Sequence, residues 1–167
     1  FDEAAIYRLD HYAGKRSVMG IPTHPELDRY LWGMQPGRVW VIGAYPSGGK
    51  SLLGSQLLTD GAKEDVPGAY LTLEMPEADQ VDRMAVQFTG VSASFFRSPV
   101  VSGMNEHALA HMQHMLKLFR DSPFRVVRPK KRSIGVILSE IRLAVRELGA
   151  RVVVVDYFQL VSAGLKG

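Results

Sequence analysis

The chain has 167 residues, a length typical of one domain, and 46% of them are hydrophobic, as expected for a globular protein with a real core. Its 20 basic and 17 acidic side chains leave a net charge of +3, which is too small to indicate nucleic-acid binding by itself but is compatible with a local basic groove. The absence of cysteine excludes a disulfide framework and a thiolate metal site, and no apolar run approaches the roughly 18 residues of a membrane span.

The N-terminal region has short, irregular patterns. Residues 4–12 fit a short helix that Gly14 would end, residues 21–25 form a loop with two prolines, and residues 26–31 fit one or two helical turns. The chain begins at Phe1 without an initiator methionine or a signal-like pattern, so we expect it to be a piece of a longer protein.

From residue 38 onwards strand and helix patterns alternate. They predict, in chain order, a strand over 38–42, a helix over 50–64, a strand over 68–73, a helix from Pro76 to about Gln87, a helix over 105–119, a strand over 124–128, a helix over 134–148 and a strand over 151–156. Strands separated by helices predict an α/β fold with a mostly parallel sheet flanked by helices. The almost wholly apolar last strand indicates that both faces of the sheet are covered.

The turn between the first predicted strand and the first long helix has the layout of a phosphate-binding loop, or P-loop. It reads Ala44-Tyr45-Pro46-Ser47-Gly48-Gly49-Lys50-Ser51. Such a loop directs backbone N–H groups and a helix N-terminus at a phosphate chain, with Lys50 on the β and γ phosphates and the Ser51 hydroxyl on Mg²⁺. Ala44 departs from the usual first glycine, and an ordinary turn with a chance lysine is the alternative.

Two carboxylates follow predicted strands, at the edge of a parallel sheet where ligands bind. Asp156 ends the last strand, where it would hold Mg²⁺ as a Walker B aspartate, or else simply cap a loop. Glu74 ends the strand over 68–73, where it would activate water as a general base, or else stabilise the next helix N-terminus.

Two other groups of polar residues have weaker functional interpretations. The basic run over residues 128–132 would contact nucleic-acid phosphates or form a solvated loop. His107, His111 and His114 lie near helical spacing, and their methionine neighbours and the lack of an acidic cluster favour a plain helix surface over a metal site.

Further motifs occur upstream and downstream of the P-loop. They are Gly20-Ile21-Pro22-Thr23, Leu27-Asp28, Trp32-Gly33-Met34-Gln35-Pro36-Gly37, Leu73-Glu74-Met75 and Asp156-Tyr157-Phe158-Gln159-Leu160. With the P-loop they resemble the RecA-like ATPase domain of DnaB-type replicative helicases, over about residues 20–161. That family's P-loop also tends to begin with alanine, and its Ser-Leu-Glu-Met and Asp-Tyr-Leu-Gln-Leu motifs are matched with Thr72 and Phe158 as the exceptions. The spacings of 24 residues from Lys50 to Glu74 and 106 to Asp156 also agree with the family.

The resemblance implies a RecA-like P-loop NTPase core. Residues 1–19 would be a linker segment with a short helix, and residues 20–167 the N-terminal portion of the ATPase domain, with the C-terminal part of the sheet missing. In the family that part carries a γ-phosphate-sensing glutamine, which is not Gln159, together with DNA-binding loops and an arginine finger.

The resemblance also implies ligands and roles. ATP and Mg²⁺ would be bound, with Lys50 on the phosphates, Ser51 and Asp156 on Mg²⁺, and Glu74 as the catalytic base. Arg83 matches a position where the family often has arginine, and its role stays open.

The implied function is that of an ATP-dependent DNA helicase motor. It would work between subunits of a homo-hexameric ring that moves along single-stranded DNA in replication, with a primase or helicase loader as further partner, in the cytoplasm of a bacterial or phage-infected cell. The alternative is a RecA-type or clock-type nucleotide-binding assembly module without unwinding activity.

Overall fold

The structure, a computed structural model, describes residues 13, 20, 21, 23–93 and 106–162. The chain divides into two compact units, Phe1–Gly43 and Ala44–Gly167. The predicted helix over residues 4–12 lies outside the described residues.

The first unit contains helix α1, Pro25–Leu31, which confirms the helix predicted over residues 26–31. The helix begins after His24, whose Nδ1 accepts a hydrogen bond from the Glu26 backbone N–H. Ile21 and Met34 exchange two backbone hydrogen bonds of 3.0 and 2.9 Å, which close the segment around α1. At Gly20 a Cβ would lie 2.6 Å from the Met34 backbone, so this closure requires glycine.

The strand predicted over residues 38–42 is wrong. These residues have no strand assignment, and the side chains of Val39 and Val41 are each 91% exposed. β-branched residues favour a strand only where a neighbouring strand and a packed face receive them, and no ladder partner for residues 38–42 is found in the part of the chain that the structure describes.

The second unit alternates helices and strands as predicted. In chain order its elements are α2, Lys50–Lys63; β1, Gly68–Thr72; α3, Glu77–Thr89; α4, Glu106–Asp121; β2, Phe124–Val127; α5, Ile134–Leu148; β3, Val152–Asp156; and a 3₁₀ helix, Phe158–Leu160. The bounds of these helices and strands lie within two residues of the predicted ones.

The three strands form one parallel sheet in the order β2-β1-β3. In the register, Gly68 lies opposite Phe124 of β2 and Val152 of β3, and Thr72 lies opposite Asp156. One more backbone hydrogen bond, of 2.7 Å, joins Leu73 N to Asp156 O beyond the end of β1. The prediction of a mostly parallel sheet flanked by helices is confirmed.

Helices cover both faces of the sheet because successive strand side chains point in opposite directions. On one face Tyr70 packs with residues of α2, α3 and α4, namely Leu58, Ala62, Met84, Ala85, Phe88 and Phe119. On the other face Ala69 and Leu71 pack with Ile137 and Ala144 of α5. All five residues of β1 are buried, as expected for a strand covered on both sides.

Candidate nucleotide site

The loop over residues 44–49 makes a tight turn that ends in the N-terminus of α2. The Gly48 N–H donates a 2.9 Å hydrogen bond to Tyr45 O, and Ser47 and Gly49 have φ values of 59° and 84°. Gly49 is the residue that precedes the first helical residue, Lys50. The loop is exposed, so the backbone N–H groups at the start of α2 are open to an anion.

The two glycines of the loop are there for different reasons. Gly49 needs the left-handed φ that side chains disfavour. At Gly48 a Cβ would lie 2.9 Å from both Ala44 Cβ and Tyr45 O, so the close approach of the loop to itself excludes a side chain. Ala44 is not among the residues with positive φ, which explains why alanine is accepted at the first position of this loop.

Lys50 folds back over its own loop. Its Nζ donates hydrogen bonds of 3.0 Å to Ala44 O and 3.2 Å to Tyr45 O. The ammonium group is therefore held above the turn by two neutral carbonyl oxygens, which a phosphate would replace as stronger, charged acceptors.

Asp156 ends β3 and is 7% exposed. A carboxylate with so little exposure requires hydrogen-bond partners, and its Oδ2 accepts a 2.6 Å hydrogen bond from the Tyr70 hydroxyl. The predicted Walker B position is therefore a buried carboxylate at the carboxyl end of a parallel strand.

Tyr70 is the functional candidate that sequence reasoning missed. Its hydroxyl reaches Asp156 and lies 3.4 Å from the backbone oxygen of Ser51, and so it connects β3 to the first turn of α2. Burial, followed by the hydrogen bond and the negative charge of Asp156, raises the pKa of Tyr70 well above its usual range, so the phenol stays protonated and remains a donor. The available signal was a tyrosine inside an apolar strand, since a buried tyrosine hydroxyl usually has a partner.

A buried polar chain continues from Ser51 into α3. Ser55 Oγ donates to Ser51 O and accepts a 3.0 Å hydrogen bond from Gln80 Nε2. Ser55 and Gln80 are both fully buried, and no described group partners the Gln80 Oε1 atom. The start of α2 is thus fixed to β1 and α3 by side-chain hydrogen bonds.

Glu74 lies two residues beyond Thr72, the residue opposite Asp156, and therefore at the same edge of the sheet. Its side chain is exposed, and no hydrogen bond given by the described residues joins it to the loop or to Asp156. The turn that carries it is held by the Thr72 hydroxyl, which donates a 2.9 Å hydrogen bond to Met75 O. Glu74 is thus positioned by its backbone and is open to solvent.

The remaining charged candidates lie elsewhere. The basic side chains of Arg128, Lys130, Lys131 and Arg132 are exposed just after β2, and Arg83 is half-buried on α3, where its charge acts to lower the pKa of Tyr70 against the larger raising effects. His107, His111 and His114 lie on α4, and within the described ranges no three His, Cys, Asp or Glu side chains are grouped to hold a metal ion. No helix of the described part of the chain is long and apolar enough to cross a membrane.

Comparison with protein families places this site in a known group. Residues 20–167 match the family model described as the DnaB-like helicase C terminal domain. A replicative DNA helicase DnaB of Leifsonia xyli is 26% identical over 168 residues, covering 97% of this chain and 36% of that protein. A replicative DNA helicase DnaB of Treponema pallidum is 28% identical over 155 residues, covering 91% of this chain and 34% of that protein. The chain therefore spans about a third of these curated relatives.

Solved structures share the fold. A solved helicase ATPase domain superposes with a TM-score of 0.77 at 24% identity, covering 99% of this chain and 60% of that one. A DnaB-like replicative helicase, solved in a study of its interactions with primase, gives the same TM-score of 0.77 at 22% identity, covering 99% of this chain and 41% of that one.

Proposed function

Because the chain belongs to the DnaB-like helicase C-terminal domain family, we propose that it is the ATP-binding part of a replicative DNA helicase motor. It binds ATP with Mg²⁺ and contributes to ATP hydrolysis that drives movement along single-stranded DNA. The observation that supports this most is the joining of the loop helix and Asp156 through the Tyr70 hydroxyl at the carboxyl edge of the sheet.

The phosphate side of the proposed site is residues 44–51. The cradle is one that a Cβ at position 48 would fill, and the start of α2 offers unpaired N–H groups together with the positive end of the helix dipole. Lys50 exchanges its two carbonyl partners for phosphate oxygens. These features suit a polyphosphate better than a single small carboxylate, because both the loop and the lysine contribute donors.

The magnesium side is Ser51 and Asp156. Hydroxyl and carboxylate oxygens are ligands that Mg²⁺ accepts, directly or through retained water. When bound, Mg²⁺ supplies charge neutralisation on the phosphates. Asp156 suits this role because its carboxylate is buried and held in one orientation by Tyr70.

Glu74 is the proposed general base. Its exposed carboxylate, at the same sheet edge as Asp156, orients a water molecule and takes its proton. Lys50 stabilises negative charge on the phosphates, as positioning and electrostatics are the main needs of phosphoryl transfer.

We further propose the assembly that this activity requires. The chain works in a homo-hexameric ring, in the cytoplasm of a bacterial or phage-infected cell, with each nucleotide bound between adjacent subunits and with an arginine from the neighbour assisting hydrolysis. Single-stranded DNA passes through the ring, and a primase or loader is a further partner. Residues 1–19 act as the linker to an adjacent subunit and residues 20–167 as the N-terminal portion of the ATPase domain.

The test is ATP binding and hydrolysis by the full-length protein, with and without single-stranded DNA. We expect hydrolysis that DNA stimulates, and a Lys50→Ala variant with weakened nucleotide binding. Lys63→Ala, which removes a lysine at the other end of α2, is the matched control and should bind as the wild type does. A full-length protein that binds ATP and assembles without DNA-stimulated hydrolysis would favour an assembly module instead.

A further inference from the structure

Tyr70 occupies a position where its hydroxyl has little freedom. The residue is fully buried in the centre of β1, and its ring packs among apolar residues of α2, α3 and β3. Gly54 of α2 leaves room for the ring, since a Cβ there would lie 3.8 Å from Tyr70 Cε2 and 3.2 Å from Val154 Cγ1. The ring is thus fixed between the loop helix and the last strand, and the hydroxyl is directed at the edge of the sheet.

The hydroxyl has one proton and two acceptors within reach. The contact with Asp156 Oδ2 measures 2.6 Å and that with Ser51 O measures 3.4 Å, so the charged and closer carboxylate takes the proton. Ser51 O is already supplied by the Ser55 hydroxyl, which Gln80 in turn orients. This arrangement leaves the Tyr70 proton committed to Asp156.

The bond orients the Asp156 carboxylate. With Oδ2 committed to Tyr70, the other carboxylate oxygen is the one left for a cation at the sheet edge. Hydrogen bonds of this kind, made to a ligand rather than to the metal, fix the ligand's orientation, and their loss weakens metal binding.

We propose that Tyr70 is a positioning residue for Asp156, and that its hydroxyl sets the affinity of the nucleotide site for Mg²⁺. The inference rests on the proposed function, since it needs Mg²⁺ to bind with nucleotide beside Asp156. It assigns to a residue of the hydrophobic strand a part in the site that neither the P-loop nor the carboxylates perform.

The test is Tyr70→Phe, which removes the hydroxyl and keeps the ring. Binding of a fluorescent ATP analogue to the full chain is titrated at a series of free Mg²⁺ concentrations, and also without Mg²⁺ in a chelator. We expect the variant to need about 10-fold more Mg²⁺ for half-maximal binding, with unchanged binding in the chelator. Thr59→Val is the control, because it deletes another fully buried hydroxyl of the same core, one bonded to Gln56 O and not to Asp156.

Three results would overturn the proposal. They are an unchanged Mg²⁺ requirement in Tyr70→Phe, a shift no larger than that of Thr59→Val, or an equal loss of binding with and without Mg²⁺. If Tyr70→Phe does not fold, Mn²⁺ bound with ATP to the wild type should broaden the Tyr70 ring resonances, and their persistence would overturn it instead. Failure of the wild type to bind the analogue at all would be failure of the proposed function, a separate outcome.

Discussion

The Tyr70 hydroxyl and the Asp156 carboxylate are joined by a 2.6 Å hydrogen bond across two neighbouring parallel strands. The partners are 86 residues apart in the chain, and both are buried. The bond links the residue that ends β3 to the strand at the centre of the sheet. A single change at Tyr70 should therefore affect both the stability of the fold and the edge of the candidate site.

Tyr70→Phe should lower the free energy of unfolding by about 1.5–3 kcal/mol at pH 7, the cost of losing a hydrogen bond to a buried charged group. The ring and its packing are retained, so no cavity term is added. Urea denaturation monitored by circular dichroism measures the change. A loss below about 0.5 kcal/mol, the size of an ordinary surface substitution, would mean that the bond contributes no net stability.

The stability of the wild type should also fall in alkaline solution because of Tyr70. Burial and Asp156 raise its pKa in the folded state, while in the unfolded chain it titrates at its ordinary value of 10.0. Above that pH the unfolded state binds fewer protons than the folded state, so this contribution to the free energy of unfolding declines by about 1.4 kcal/mol per pH unit; below that pH it is fully present. Urea denaturation of the wild type and Tyr70→Phe from pH 8 to 11, in a metal chelator, should give curves that converge as pH rises. Parallel curves would contradict the raised pKa.

Gly48→Ala should weaken nucleotide binding by about 10-fold or more, because the new Cβ would lie 2.9 Å from Ala44 Cβ and Tyr45 O and would displace the loop backbone that faces the phosphates. Thermal stability should change little, since the loop is exposed. Calorimetric titration with ATP and Mg²⁺ measures the loss. Gly135→Ala in α5, where an added Cβ meets nothing within 4 Å, is the control and should keep wild-type binding. Equal binding by the two variants would remove the loop from the site.

Glu74→Ala should keep nucleotide binding and reduce ATP hydrolysis about 100-fold or more, as expected when a general base is removed. The exposed side chain makes no contribution to the core, so the fold should be unaffected. Single-turnover hydrolysis by the full-length protein, measured beside nucleotide binding, separates the two effects. Glu77→Ala, which removes an exposed carboxylate from the first turn of α3, should hydrolyse ATP at the wild-type rate. Normal turnover in Glu74→Ala would assign the proton transfer to another group.

The sequence predicted what depends on local pattern. Residues 44–51 and the strand ending at Asp156 are recognisable because a loop motif and an apolar run are each continuous in the chain. The contact of Tyr70 with Asp156 depends on the register that sets Thr72 opposite Asp156, and no local pattern encodes the pairing of strands so far apart.

The wrong strand over residues 38–42 has a related cause. Val39 and Val41 have strong strand propensity, but pairing decides whether a strand forms. The helices were predicted well because each is identified by its own periodicity, as for α5, where the predicted and observed bounds coincide.

The hydrogen bond from Leu73 N to Asp156 O has a mechanical consequence. It ties the peptide unit just before Glu74 to the residue that carries the other acidic group, so the spacing of the two carboxylates is set by main-chain atoms. A displacement of β3 along its axis would carry both acidic residues with it and would change their distance from the loop together. The edge of the sheet thus behaves as one stiff jaw, whose opposing part is the start of α2.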